Sequence, residues 1–294
     1  MDGNSDFHTS EQVKGAKEKT VSFVPDIQLM MYGLGDCSRP LRESAELIET
    51  IVVEQMSLML SQAKEVMQWR GGNVMQPEDI LYLLRRNEAA LKRFITYIGV
   101  RDEKDVLNSM IKDIPKIMGE GDQTGESKPL VWKDGRKEYC LHKLKDFGIE
   151  EEDILSLTDV IKEERTARAC KMSLNLTTVE YQEFHTARCK SFLRANMSHS
   201  AFMLWLKTRV KWNEEIPIPI LEILIYMAKE TIASLIDKIL NIREERGIMW
   251  SNMTPIKTSE IQEAMRRHNF QQTLTFAPFS RDLPTTIHTR LLAF

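Results

Sequence analysis

No Cys-x-x-Cys pair occurs in the 294 residues, and the four cysteines (Cys37, Cys140, Cys170, Cys189) are scattered along the chain. That pattern excludes the usual paired-cysteine zinc spacings and reads as reduced thiols rather than a disulfide framework. No apolar run reaches the ~18 residues that a membrane span needs. The nearest candidate, IPIPILEILIYMA, carries two prolines and Glu222, so no membrane partner is expected. The opening MDGNSDFHTSEQVKGAKEK has no apolar segment and is not expected to be a secretory signal. The six histidines lie far apart, none at His-Glu-x-x-His spacing, and there is no Gly-x-Ser-x-Gly elbow or phosphate-loop motif. No catalytic residue, no metal and no cofactor are therefore expected. An excess of positive charge is missing too. The net charge is −3, and even the most basic stretch, residues 180–294, holds only 15 lysines and arginines against 12 acidic residues. A protein that wraps duplex DNA by neutralising phosphates is strongly basic. Direct DNA binding is not expected, and proteins are the expected partners.

What the chain does have is helical periodicity. From Pro40, which suits the first position of a helix, about thirty residues pass without Gly or Pro. Apolar residues recur at Leu41, Ala45, Ile48, Val52, Met56, Met59, Ala63 and Val66. The spacing predicts one helix of roughly 45 Å at ~1.5 Å per residue. Leu47, Ile51 and Leu58 widen its apolar face beyond what one neighbour covers. Gly71-Gly72 ends it, and Pro77 opens a short helix, PEDILYLLRR. Before it, Ile27, Met30, Met31 and Leu34 predict a short helix stopped at Gly33-Leu34-Gly35. After it, Leu91 to Ile98 predict an extra helix ending near Gly99.

The second half repeats the order. A short apolar helix with Trp205 precedes a long one opened by Pro217 and Pro219. Leu221, Leu224, Ala228, Ile232, Leu235, Ile239 and Ile242 recur at three and four. Thr258 or Ser259 is the expected N-cap of a last short helix, SEIQEAMRR, and Ser259 with Gln262 also fits a capping box. Short, long, short, twice over, predicts an all-α protein with two histone folds in one chain forming an intramolecular pair. A single unit would leave its long helix half covered, and exposed apolar patches of that size are rare on monomers. Two units on one chain meet at high effective concentration. The expected pairing core is Ile48, Val52, Met56 and Met59 against Leu224, Ala228, Ile232 and Leu235. The expected division is a mobile tail (1–22), a first histone fold with an extra helix (23–100) and a linker with surface helices (101–180). A second histone fold (181–270) and a tail (271–294) complete it.

The succession FVPDIQLMMYGLGDCSRPLRESAELIETIVVEQ, then RGGNVMQPEDILYLLRR, resembles the first histone fold of the suppressor-of-Ty protein three (Spt three) family. YQEFHTARCKSF, PILEILIYMAKETIASLID and SEIQEAMRRH extend the resemblance over about residues 20–115 and 165–270. The resemblance implies a non-enzymatic, nuclear subunit of a SAGA-type coactivator. It also implies TATA-binding protein and other SAGA-type subunits as partners, with a role in bringing TATA-binding protein to promoters for RNA polymerase II. The rival reading is a histone-fold DNA-binding transcription factor. Where core histones carry an arginine near DNA, this chain has Gly71-Gly72, with Arg70 displaced. Glu230, Asp237 and Glu244 recur every seven residues and so form one helix stripe, an expected contact for a basic partner such as TATA-binding protein.

Overall fold

The computed structural model describes residues 21–113, 132, 135–193, 199–248, 254–275 and 291–292, and every regular element among them is helical. All but the last two residues of the expected tail (1–22), the segment GEGDQTGESKP and most of 271–294 lie outside these residues.

Helix α1 (Val24–Leu34) begins with Pro25 in its first turn and ends at Gly35, whose φ of +129° no side chain would favour. Helix α2 (Arg42–Trp69) starts two residues after Pro40, with extended Leu41 as its N-cap, and ends at Arg70 and Gly71 (φ +74°). Helix α3 (Pro77–Leu84) is opened by a capping box in which Gln76 and Asp79 exchange hydrogen bonds. Helix α4 (Glu88–Asp113) does not stop at Gly99 as expected. It runs a further fourteen residues, with the Lys137 stem packed where a Gly99 side chain would be. Helices α5 (Arg136–Asp146), α6 (Glu151–Ser156), α7 (Val160–Ser173) and α8 (Thr178–Cys189) follow.

In the second half, α9 (Ser200–Trp205) runs into a π turn at Leu206–Val210, closed by Lys211 in the left-handed region (φ 60°). Helix α10 (Ile218–Glu245) is capped by Pro217 and stopped by Gly247. Helix α11 (Thr258–Thr275) starts one residue before Ser259, which is why the Ser259–Gln262 box does not cap it. Glu260 instead reaches back to accept from the Lys257 N–H at 2.9 Å.

Helix α10 is the centre of the molecule. It packs against α1, α2, α3, α9 and α11, and it is buried on nearly every side. A helix apolar all round belongs in a core, and Ile223, Leu224, Ile225, Met227 and Ala228 are five buried residues in a run of six. One cluster joins α2, α4 and α10 with α9, α11 and the α5–α6 segment. All eight residues of the expected pairing core are 0% exposed and belong to that cluster. An aromatic knot of Phe23, Phe192, Phe202 and Trp205, with ring centroids 5.0–6.3 Å apart, ties the start of α1 to α9. Leu291 and Leu292 are also buried in this core, where the Leu292 N–H donates to Gln55 at 2.7 Å.

A second, smaller cluster holds the α7–α8 hairpin onto α1 through Tyr32, Ala169, Phe184 and Ala187. Gly33 is what lets α8 come so close. A Cβ there would sit 2.7 Å from the Ala187 and Arg188 backbone. The glycine pair therefore has two jobs: Gly35 ends α1, and Gly33 makes room for α8.

Candidate functional site

Two loop ends and a buried arginine cluster carry the chemistry of this chain. At the first end, the α1–α2 loop meets the segment before α11. Asp36 Oδ1 accepts from the N–H groups of Cys37 (2.8 Å) and Ile256 (3.0 Å), while the Ser44 hydroxyl donates to the Ile256 carbonyl at 2.6 Å. Arg243 completes the junction, donating to both Glu260 oxygens (2.7 and 2.8 Å) and to the Thr254 carbonyl (2.9 Å). Residues more than two hundred positions apart are thereby fixed together. Asp36 is fully buried, and burial pushes its carboxyl above the usual range despite the two backbone donors.

The sign of that shift gives a test. A raised carboxyl favours its protonated form in the folded state, so its contribution to stability is greatest below the unfolded pKa of ~3.9 and declines as pH rises through the folded value. Asp36→Asn keeps an oxygen for both N–H groups and removes the buried charge. Its stability relative to the parent, from urea midpoints at two pH values, is expected to improve from pH 4 to pH 7. Asp36→Ala strands two buried donors and is expected to cost about 1–3 kcal/mol.

At the other end, the α2–α3 loop and the segment 211–217 face each other across a groove of about 1040 Å³. Its walls include Met67, Val74 and Met75 on one side and Trp212, Ile216 and Ile218 on the other, with Glu214 and Glu215 at the rim. No lysine or arginine lines it among the described residues. Lys64 ion-pairs with Glu214 and lies 5.8 Å from the Trp212 ring centre, so this corner already receives a cation. Arg70, the displaced histone-type arginine, is taken up internally: it donates to both Asp79 oxygens at 2.9 and 3.0 Å.

The arginine cluster lies on the outer side of α10. Arg165 Nη1 is 3.0 Å from both Glu230 oxygens, and its Nε is 2.7 Å from Asp237. Arg168 spans Asp237 (2.7 Å) and the Leu34 carbonyl (3.0 Å), which caps the C-terminus of α1. Arg93 on α4 joins Asp159 (2.7 Å) and Glu230 (3.2 Å). This corrects the expected acidic stripe. Glu230 is 7% exposed, and both it and Asp237 are neutralised by arginines of α4 and α7; only Glu244 lies open. The heptad spacing was sound, but α7 covers the stripe, and nothing in α10 alone announces that.

Two further carboxylates act as hubs that helical periodicity did not single out. Glu49 accepts from the Phe23 N–H (2.7 Å), the Trp205 indole (3.2 Å) and Arg209 (3.1 Å), which joins α1 and α2 to the second half. Glu222 accepts from Arg136 (2.8 and 3.1 Å) and the Trp132 indole (3.0 Å). Burial alone would raise the Glu222 carboxyl, but Arg136 and Trp132 outweigh it and hold it below the usual range. The only sequence signal for either was an acidic residue inside an otherwise apolar helix stretch. Among the described residues, no three His, Cys, Asp or Glu side chains are placed to hold a metal ion.

Residues 21–113, which span α1 to α4, match the family model of the transcription initiation factor IID 18 kDa subunit. TFIID subunit 13 of Dictyostelium discoideum is 35% identical over 81 residues that cover 28% of this chain and 74% of that protein. The molecule is thus a histone-fold protein of the TFIID 18 kDa class. Likeness to a different set of proteins continues past α4. SAGA complex subunit Spt3 of Schizosaccharomyces pombe is 22% identical over 233 residues, 77% of this chain and 75% of that protein. Its Drosophila melanogaster counterpart is 26% identical over 223 residues, 74% of this chain and 52% of that protein. The chain belongs to the Spt3 family. Its relatives are subunits of the SAGA and TFIID transcription complexes.

Proposed function

We propose that this chain is a non-enzymatic, nuclear coactivator subunit of a SAGA-type complex, and that it works as two histone folds paired within one chain. Helices α1–α3 form the first fold, and α9 with its π turn, α10 and α11 form the second. The observation that carries the pairing is the reciprocal meeting of loops. The α1–α2 loop (Asp36) and the first turn of α2 (Ser44) are bonded to Ile256 of the α10–α11 loop, while the α2–α3 loop faces the segment before α10. Such head-to-tail exchange is what two crossed short–long–short units produce. The α5–α8 segment (residues 136–189) then serves as a brace, fastened to α10 through Arg136, Arg165 and Arg168.

In this reading the chain binds TATA-binding protein and helps deliver it to promoters for RNA polymerase II. Because Glu230 and Asp237 are engaged by arginines, the contact is assigned instead to the acidic, aromatic groove around Glu214, Glu215 and Trp212. A basic partner would meet complementary charge there. The same groove disfavours the DNA-binding alternative, since a phosphate backbone would meet Glu214 and Glu215 and find Arg70 occupied.

Affinity purification with mass spectrometry tests the assignment: SAGA-type subunits and TATA-binding protein are expected among the recovered proteins. In a pull-down, Glu214→Lys with Glu215→Lys is expected to weaken TATA-binding protein capture by roughly tenfold, in line with like-charge juxtaposition at an interface. Far-ultraviolet circular dichroism should be unchanged, because both residues are exposed. Undiminished capture would remove the groove from the interface.

A further inference from the structure

The α7–α8 hairpin forms a half-open cavity of about 190 Å³ against the end of α1 and the middle of α10. Five of its ten lining residues are cationic (Lys162, Arg165, Arg168, Arg188 and Lys229), and none is acidic. Helix stability does not account for all five. Arg165 and Arg168 are matched by Glu230 and Asp237. Lys162, Arg188 and Lys229 have no carboxylate at ion-pairing distance among the described residues. Among the described residues Lys229 donates to the Arg188 carbonyl alone, at 2.9 Å, and Arg188 lies against the Phe184 ring. Lys229 is also half-buried, and burial, opposed by nearby Cys189 and Glu230, pushes its ammonium below the usual lysine range. Like charges gathered in a concave, partly desolvated site repel one another unless an anion joins them.

We propose that this cavity is a binding site for a phosphate monoester, carried by a phosphorylated serine or threonine of a partner protein. Three uncompensated cations match a dianion with three acceptor oxygens better than a single carboxylate. The volume is several times the ~30 Å³ share of one water molecule, which leaves room for the phosphate and the first carbons of its ester. A polyanion does not fit the surroundings, because the exposed faces of α7 and α8 carry Glu163, Glu164, Glu180 and Glu183. The site spans α1, α7, α8 and α10, so a bound phosphate would add a further tie between the brace and α10. The inference rests on the cavity alone and is independent of the proposed contact with TATA-binding protein.

The test uses the full chain in phosphate-free buffer and a fluorescein-labelled nine-residue peptide with a central phosphoserine flanked by alanine and glycine. Anisotropy is expected to show saturable binding of this peptide and none of its unphosphorylated form. Arg188→Met with Lys229→Met is expected to weaken it at least tenfold. Lys162→Met, an exposed change that leaves the fold intact, is expected to weaken it about threefold. Inorganic phosphate should compete only at concentrations at least tenfold higher than the unlabelled phosphopeptide. Absence of saturable binding, or equal affinity in Lys162→Met and the parent, would overturn the site. Competition by inorganic phosphate at equal concentration would overturn the phosphorylated side chain as its ligand and assign the cavity to the free anion.

Discussion

Val52→Asp is expected to abolish the folded state of both halves of the chain, not only the first. Val52 is fully buried on α2 within the cluster that contains Leu224, Ala228 and Ile232 of α10. A carboxylate there has no donor to meet it, and an unpaired buried charge costs several kcal/mol even if it protonates. Typical domains hold only ~5–15 kcal/mol of stability in total. The loss of the β-branched packing adds to the deficit. Because α10 packs on α2 and is buried on nearly every side, it cannot remain soluble and helical once α2 leaves. Circular dichroism and size exclusion on the variant should show loss of helix or aggregation. A soluble, monomeric and well-folded Val52→Asp product would contradict intramolecular pairing.

Glu230→Ala should be the most damaging single change among the polar residues. Glu230 lies between Arg93 and Arg165, both less than a fifth exposed, and its removal takes away the carboxylate they share and leaves two neighbouring guanidinium groups with Asp159 and Asp237 as their remaining partners. Breaking one partner of a buried pair typically costs ~3–5 kcal/mol, much more than the pair contributes against an apolar replacement. Urea denaturation should therefore show a large drop in midpoint. Glu230→Gln, which keeps an acceptor without the charge, should lie between the variant and the parent. If Glu230→Ala unfolded at the parental midpoint, the arginine cluster would not be what fastens the α7–α8 hairpin.

The helical plan was legible because it rests on local rules. Periodicity at three and four residues, with Pro77, Pro217 and the glycines after α1, α2 and α10, places α1, α2, α3 and α10 to within a few residues of the structure, whereas α11 runs eight residues past the expected SEIQEAMRR. The end of α4 was missed because glycine is a tolerated helix residue when a neighbour such as Lys137 packs over it. The polar architecture was hidden for a different reason. Asp36 with Ile256, Glu49 with Arg209 and Arg165 with Asp237 are pairings between distant segments, and no local pattern in one strand of sequence names its partner. The acidic heptad on α10 shows the danger: regular spacing identified a true helix face, yet the chain itself supplies the arginines that occupy it. An apparent charged surface is free only when no other segment of the chain reaches it.

Native-state hydrogen exchange across a urea series addresses the intramolecular pair most directly. Two helices that stabilise each other open together, so their slowest amides share one free energy and one urea dependence. The amides of α2, around Val52 and Met56, and those of α10, around Ala228 and Ile232, are expected to follow a single global opening. Protection that survives in α10 after α2 has exchanged, or the reverse, would show that the two halves fold independently and would contradict the pairing on which the functional reading stands.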